Sequence, residues 1–506
     1  MNRTILALTG IAMVALDHSG AWAQATTTCP PAVAPTTTAQ PATAGTATPV
    51  GTNATACPAG AFPGSTISNS APTAAPAGVR PITVDEALEI GFRNNPGLRI
   101  AVDVLNRSRA VVSEARAAFN PTFNATVTYL RQPGSTVTFP GQAGQPATEI
   151  VTTQAANTTV GVNAFLPLDI NRSLAFSGQI TEYQFRIQYL NLLATSETLI
   201  QNIKVAYYDL LRACGQQDTA QAAVDVSRVR LDNTRARFEA GTVPKFDLTT
   251  AEVDLANLEQ QLIQQETRVE QVRGVLNRVL GIDLNTPTQV VQSAPPAMGA
   301  PVDIPAAVQT AYQHRPEVQA GQEAISLNET SVKLQRTGYL PNLGVSGGLN
   351  YTAETSGLSS NSLNWQAALT LNIPIWTGGV TRARVRQAQA DVANAVDTLE
   401  QTRLAVALDV RAAALNIDEA VRRRQSTAAA VILAEEALRL ANVRYEAGIA
   451  TLVEVTNAES QLTQARFNNV NALYDFATAQ AQLQRATACQ PEIDRLTLLA
   501  PVKAAP

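Results

Sequence analysis

The chain has 506 residues, a formal charge of −4 and 45% apolar residues, enough to bury a substantial core and without the basic excess that nucleic-acid binding requires. Aromatic residues make up only 5%, which suits closely packed helices better than a large β-sandwich. Length alone suggests about three domains, but it does not separate three different domains from one duplicated unit.

Asn2 and Arg3 precede an apolar stretch from Ile5 to Leu16, and the small-residue pattern Ala21-Trp22-Ala23 follows before Gln24. Residues 1–23 therefore read as a secretory signal peptide cleaved after Ala23, with Asp17-His18 leaving the apolar part too short for a retained anchor. Residues 24–80 are dominated by Pro, Ala, Thr and Gly, with almost no charge and few large apolar side chains. Such a segment cannot offset the entropy of ordering and reads as a disordered or extended arm. It carries Cys29 and Cys57, for which a disulfide and two free thiols both stay open. Thr26-Thr27-Thr28 before Cys29 resembles no lipidation box. Cys214 and Cys489 complete the set, and none of the four cysteines has metal-ligand spacing. His18 is expected to leave with the signal peptide and His314 stands alone beside Arg315-Pro316. Zinc sites and histidine catalysis are accordingly not expected, nor is any cofactor.

The rest of the chain repeats itself. Arg237-Phe238-Glu239-Ala240-Gly241 recurs 207 residues later as Arg444-Tyr445-Glu446-Ala447-Gly448. Ala251-Glu252 returns as Ala458-Glu459 and Leu166-Pro167-Leu168 as Ile373-Pro374-Ile375 at the same displacement. Upstream, Asn95-Pro96 matches Arg315-Pro316 and Asn120-Pro121 matches Leu340-Pro341, here 220 residues apart. The first copy thus holds 13 extra residues, the difference between 220 and 207, and they fall in the Gly- and Pro-rich stretch Pro133 to Pro146. That insertion reads as a longer surface loop. The resulting organisation is a first repeat over 81–290, a linker over 291–303, a second repeat over 304–488 and a loosely held tail over 489–506.

Each repeat opens with a helical pattern, about Val84 to Phe119 and Ile304 to Gly338. Strict alternation follows. Leu363, Trp365, Ala367, Leu369, Leu371 and Ile373 alternate with Asn364, Gln366, Ala368, Thr370 and Asn372, a period of two over a strand's length. Leu343, Val345, Gly347, Leu349 and Tyr351 form a companion, and Phe123 to Tyr129 and Val160 to Leu166 match more weakly in the first copy. That makes two strands per half and four per chain. Helix then resumes for about 60 residues in each half, roughly Ser173 to Ala236 and Gly379 to Val443, or about 90 Å at 1.5 Å per residue. Helices of that length need partners along their sides. The shorter helix after Gly241 shows such a seam in Leu255, Leu258, Leu262, Val269, Val272, Leu276 and Val279, broken by Gln265. Its counterpart carries Leu462, Ala465, Ala472, Phe476, Ala479 and Leu483, broken by Asn469.

No segment reaches the run of about 18 apolar residues that a membrane-spanning helix needs, so a membrane can be crossed only by strands. Lipid tolerates no open sheet edge, and the smallest outer-membrane barrels have about eight strands. Four strands must therefore be shared between copies, and a dimer or a trimer both satisfy the physics. A soluble four-stranded meander, and a structural or adhesive periplasmic coiled-coil protein, remain the alternatives. The latter explains the helices but not the strands between them. No nucleophile–base pairing, phosphate loop or metal cluster suggests an enzyme.

The two copies of Arg-aromatic-Glu-Ala-Gly, the Asn95-Pro96 and Arg315-Pro316 openings, Leu340-Pro341, and Ile373-Pro374-Ile375-Trp376-Thr377-Gly378-Gly379 followed by Arg382 together resemble the TolC-like outer-membrane factor family. The likeness covers about Pro81 to Ala488. It implies a homotrimer with a shared twelve-stranded β-barrel in outer-membrane lipid and a periplasmic α-barrel of coiled-coil helices. It also implies passive exit of substrates delivered by an inner-membrane transporter through a periplasmic adaptor. By the same resemblance, Glu239, Ala240, Gly241 and Thr242, with Glu446, Ala447, Gly448 and Ile449, are the adaptor-docking tips. The two glycines supply the backbone freedom that ends a long helix. Asp247 and Glu454, six residues beyond each glycine, match acids that ring the closed entrance in related channels. In a trimer they would form two rings of three carboxylates favouring cations, although acids early in a helix also simply stabilise its dipole. Asn457 and Ala450 depart from residues found in some relatives, Lys245 stands near Asp247 as a different latch, and Tyr445 occupies the place of a gating aromatic.

Overall fold

The computed structural model describes residues 81–131, 136–140, 148–151, 156–291, 302–354 and 362–488. The signal peptide, the arm, the tail, most of the linker, and Cys29 and Cys57 lie outside them.

The first half runs α1 (Val84–Asn94), α2 (Pro96–Ala117), β1 (Thr122–Arg131), β2 (Thr136–Phe139), β3 (Thr148–Val151), β4 (Ala156–Leu168), α3 (Ser173–Glu239) and α4 (Lys245–Leu280). The second runs α5 (Ile304–His314), α6 (Pro316–Arg336), β5 (Asn342–Glu354), β6 (Ser362–Asn372), α7 (Val380–Glu446) and α8 (Leu452–Ala486). The two long helices, α3 and α7, have 67 residues each, about 100 Å at 1.5 Å per residue. Their starts are 207 residues apart and those of α1 and α5 are 220 apart, so the displacements seen in the sequence hold in the elements.

Two expectations need correcting. The opening helix of each half is broken, at Asn95 and at Arg315, because the residue before a proline is driven out of the helical region while the proline itself starts a helix well. Asn95 uses the break: its side chain accepts from the Leu98 amide (3.1 Å) and donates to the Val279 carbonyl of α4 (2.8 Å). The extra residues of the first half are also more than a loop. β2 and β3 form a hairpin in which Thr136 faces Val151, continuing the count in which Thr122 of β1 faces Phe165 of β4.

β1, β4, β5 and β6 form one antiparallel sheet in that order. The registers collect the side chains onto two unlike faces. One carries Phe123, Val127 and Tyr129, then Val160, Val162 and Leu166, then Leu343, Val345, Leu349 and Tyr351, then Leu363, Trp365, Leu369 and Leu371. The other carries mostly Asn, Thr, Ser, Gln and Gly: Asn124 and Thr126, Thr159 and Asn163, Ser346 and Asn350, Gln366 and Thr370. Trp365 is 78% exposed and Val127 72%, so the apolar face has no cover among the described residues. Among the described residues β1 and β6 are both free edges.

The helices stand four abreast at each level. Near the sheet, α3 lies between α2 and α6, and α6 packs on α7; farther away α3 lies between α4 and α8, and α8 packs on α7. Each long helix therefore exchanges its neighbours part-way along. Tyr207, fully buried on α3, locks the chain ends of the first half by donating toward the carbonyls of Ile82 (3.0 Å) and Val291 (2.7 Å). Cys214, also on α3, is buried and disulfide-bonded. Near the exchange level, Glu197 of α3 is 4% exposed. Burial pushes its carboxyl up to about 8, Glu317 adds to the shift, and Arg315 and Arg485 oppose it. Arg315 reaches Asp409 of α7 at 3.2 Å. None of the described helices is long and apolar enough to cross a membrane.

The β4-to-α3 corner shows what a left-handed residue costs and how it is held. Arg172 has φ 60°, unfavourable for a residue with a Cβ. The Asp169 carboxylate holds the turn by accepting from the amides of Leu174 (3.0 Å) and Ala175 (2.9 Å) at the positive end of α3.

Candidate functional site

The two turns farthest from the sheet are built alike. α3 ends at Glu239 with Ala240 as its cap and Gly241 at φ 74°; α7 ends at Glu446 with Ala447 as cap and Gly448 at φ 73°. The Gly241 amide donates to the Phe238 carbonyl and that of Thr242 to Arg237, while Gly448 donates to Tyr445 and Ile449 to Arg444, all between 2.9 and 3.0 Å. These paired bonds satisfy the last helical carbonyls, and they require the left-handed residue that glycine supplies. The eight tip residues are exposed, Ile449 at 70%.

The acids beyond the glycines are not equivalent. Glu454 lies in the first turn of α8, completes a capping box with Thr451 and pairs with Arg444 at 3.3 Å. Asp247 lies half-buried in the first turn of α4, and no ion pair joins it to the exposed Lys245 among the described residues. Asn457 is exposed on α8. The helix-stabilising role thus accounts for Glu454 locally, whereas Asp247 keeps its carboxylate clear of such a cap.

The fold sets the two tips side by side. Leu231 of α3, Ala251 of α4 and Leu452 of α8 form a buried cluster, against which Leu248, Leu255 and Tyr445 pack. The Arg237 guanidinium lies 5.5 Å from the centre of the Tyr445 ring.

Above this cluster lies a group that sequence reasoning missed. Arg230 of α3, only 10% exposed, pairs with Asp254 of α4 at 2.5 Å and with Glu459 of α8, and binds Ser227. Burial raises the Glu459 carboxyl, and Arg230 only partly offsets the rise. One guanidinium therefore joins three helices from both repeats. Counting 207 residues on, Arg230 corresponds to Ala437 and Asp254 to Gln461, so only the first repeat carries this pair. Departure from the repeat was the signal available in the sequence.

The sequence model of the family described as outer membrane efflux protein matches residues 88–282 and 307–488, one stretch in each half. The chain belongs to that family. It is an outer-membrane protein of a transport family. It is 26% identical over 319 residues to outer membrane protein TolC of Vibrio cholerae, covering 62% of this chain and 72% of that one. To TolC of Escherichia coli it is 25% identical over 330 residues, covering 62% and 66%. Among solved structures, the Campylobacter jejuni CmeC outer membrane channel superposes with a TM-score of 0.67 at 16% identity, over 82% of this chain and 88% of that one. The outer membrane protein VceC of Vibrio cholerae gives 0.66 at 19% identity, over 80% and 95%.

Proposed function

We propose that this outer-membrane efflux protein is one of three identical subunits of a channel, through which solutes or polypeptides handed over by an inner-membrane transporter and a periplasmic adaptor leave passively. The sheet carries the reading: an apolar face continuous across four strands, a polar opposite face and two free edges. In lipid such a sheet has to close on copies of itself with the apolar face outward, leaving a polar lumen. Three copies give twelve strands and, from four helices abreast, twelve helices around a periplasmic tunnel.

The tip turns would dock the adaptor, as the exposed turns Glu239 to Thr242 and Glu446 to Ile449, whose amides are hydrogen-bonded back to the helix ends, offer a rigid surface. Asp247 supports the reading of an entrance that favours cations; Glu454 contributes charge to it while capping α8. Fractionation and electrical recording test the whole. The chain is expected in the outer membrane as a heat-sensitive trimer that conducts ions in a planar bilayer. A soluble monomer without conductance would return the chain to the periplasmic coiled-coil reading.

A further inference from the structure

The two free edges and the two unlike faces together restrict how one copy can meet the next. β1 has ten residues and β6 eleven. Every β1 residue finds a β6 partner in only two antiparallel registers, one with Thr122 opposite Asn372 and one with Thr122 opposite Leu371. The second sets Phe123 opposite Thr370 and so joins the apolar face of one copy to the polar face of the next, the consequence of any one-residue slip. We infer that β6 of one copy pairs with β1 of the next with Thr122 opposite Asn372, so that Phe123 meets Leu371, Val127 meets Ala367 and Tyr129 meets Trp365. This rests on the shared-barrel reading above and adds the register of the seam.

Two further observations agree with it. Pro121 and Pro374 lie just beyond the ends that this register brings level. A slip of two residues one way would put Pro374, which has no amide to donate, opposite Thr122. The other observation is geometric. The pairing line from Thr122 passes to Phe165, Ser346 and Ala368, and across the inferred seam it reaches Thr126 of the next copy, four residues on from where it began. Over three copies the shear is twelve residues for twelve strands. With a rise of about 3.4 Å and a spacing of about 4.8 Å, the strands tilt by about 35°. Slips of two residues would give about 20° or about 47°, whereas membrane barrels tilt by about 35–45°. The seam also places Tyr129 against Trp365 on the lipid face, a favourable cross-strand pair.

Cysteine pairs on the lumen face read the register in the full chain. Thr126→Cys with Ala368→Cys, and Asn124→Cys with Thr370→Cys, stand directly opposite. Thr126→Cys with Gln366→Cys or with Thr370→Cys are diagonal, about 7–8 Å apart and beyond disulfide reach. On oxidation in isolated outer membranes, the opposite pairs should give roughly tenfold more covalent dimer and trimer than the diagonal pairs or the single variants. Each variant is first checked for the intact trimer on a semi-native gel. Stronger cross-linking of a diagonal pair overturns the register, and intact trimers with no cross-link from any pair overturn the β6–β1 seam. If the unsubstituted chain forms no trimer, the channel reading itself fails.

Discussion

Arg237 lies over the ring of Tyr445, so a residue of the first tip is held by the aromatic of the second. Each residue belongs to the same repeated motif, yet the contact joins one copy of the motif to the other. If an entrance at the tips opens by parting the two helical hairpins, this contact resists it, by about 0.5–1 kcal/mol for an exposed cation–π pair. Tyr445→Ala is expected to raise single-channel conductance or open probability in a planar bilayer. Asp247→Ala combined with Glu454→Ala is expected to raise conductance and weaken cation preference. Unchanged selectivity would leave both acids as helix stabilisers.

Loss of the Arg230 charge should be costly. Arg230→Met leaves Asp254 and the half-buried Glu459 facing each other without a cation; breaking a fully buried pair costs about 3–5 kcal/mol, and the loss here should be smaller because both carboxylates keep part of their hydration. Thermal unfolding in detergent should show the loss. Adding Asp254→Asn and Glu459→Gln should recover most of it, since the uncompensated charges are then gone.

Among the described residues nothing lies within 4 Å of where a Cβ would stand on Gly241 or Gly448, so crowding by those neighbours plays no part there. Gly241→Ala and Gly448→Ala should each destabilise by about 1–2 kcal/mol through the left-handed backbone alone. Gly→Asn should cost less at either site. Equal losses for Ala and Asn in chemical denaturation would contradict this.

Glu197 sets a pH dependence. Its carboxyl titrates near 8 in the folded protein against 4.5 ordinarily, so between those values the folded chain keeps a proton that the unfolded chain has released. Stability from this group is full below about 4.5 and falls as pH rises through that window to about 8. Glu197→Gln should flatten the change in melting temperature between pH 5 and pH 8 relative to the parent. A variant as steep as the parent would assign the slope to other groups.

The two faces of the sheet should respond differently to charge. Leu369→Arg places a cation on the apolar face and should destabilise the assembled barrel by about 2–4 kcal/mol, while Thr370→Arg on the polar face should cost far less. Trimer melting on semi-native gels compares them directly.

The strand alternation, the two 207-spaced Gly turns and the long helices were legible in the sequence because each depends on local periodicity and local backbone conformation. Alternation in Leu363 to Ile373 already separated an apolar from a polar face. The breaks at Asn95 and Arg315 were equally local, written in the prolines that follow them, although the helical pattern on both sides masked them. What only the tertiary structure decided were relations between distant segments: β4 beside β5, Tyr445 beneath Arg237, and Arg230 between Asp254 and Glu459. Periodicity states which side of an element is apolar, but not which other element covers it. That choice depends on the packing of all the helices at once, so departure from the repeat could mark Arg230 and Asp254 as unusual, but their meeting with Glu459 needed three helices from two repeats to stand together.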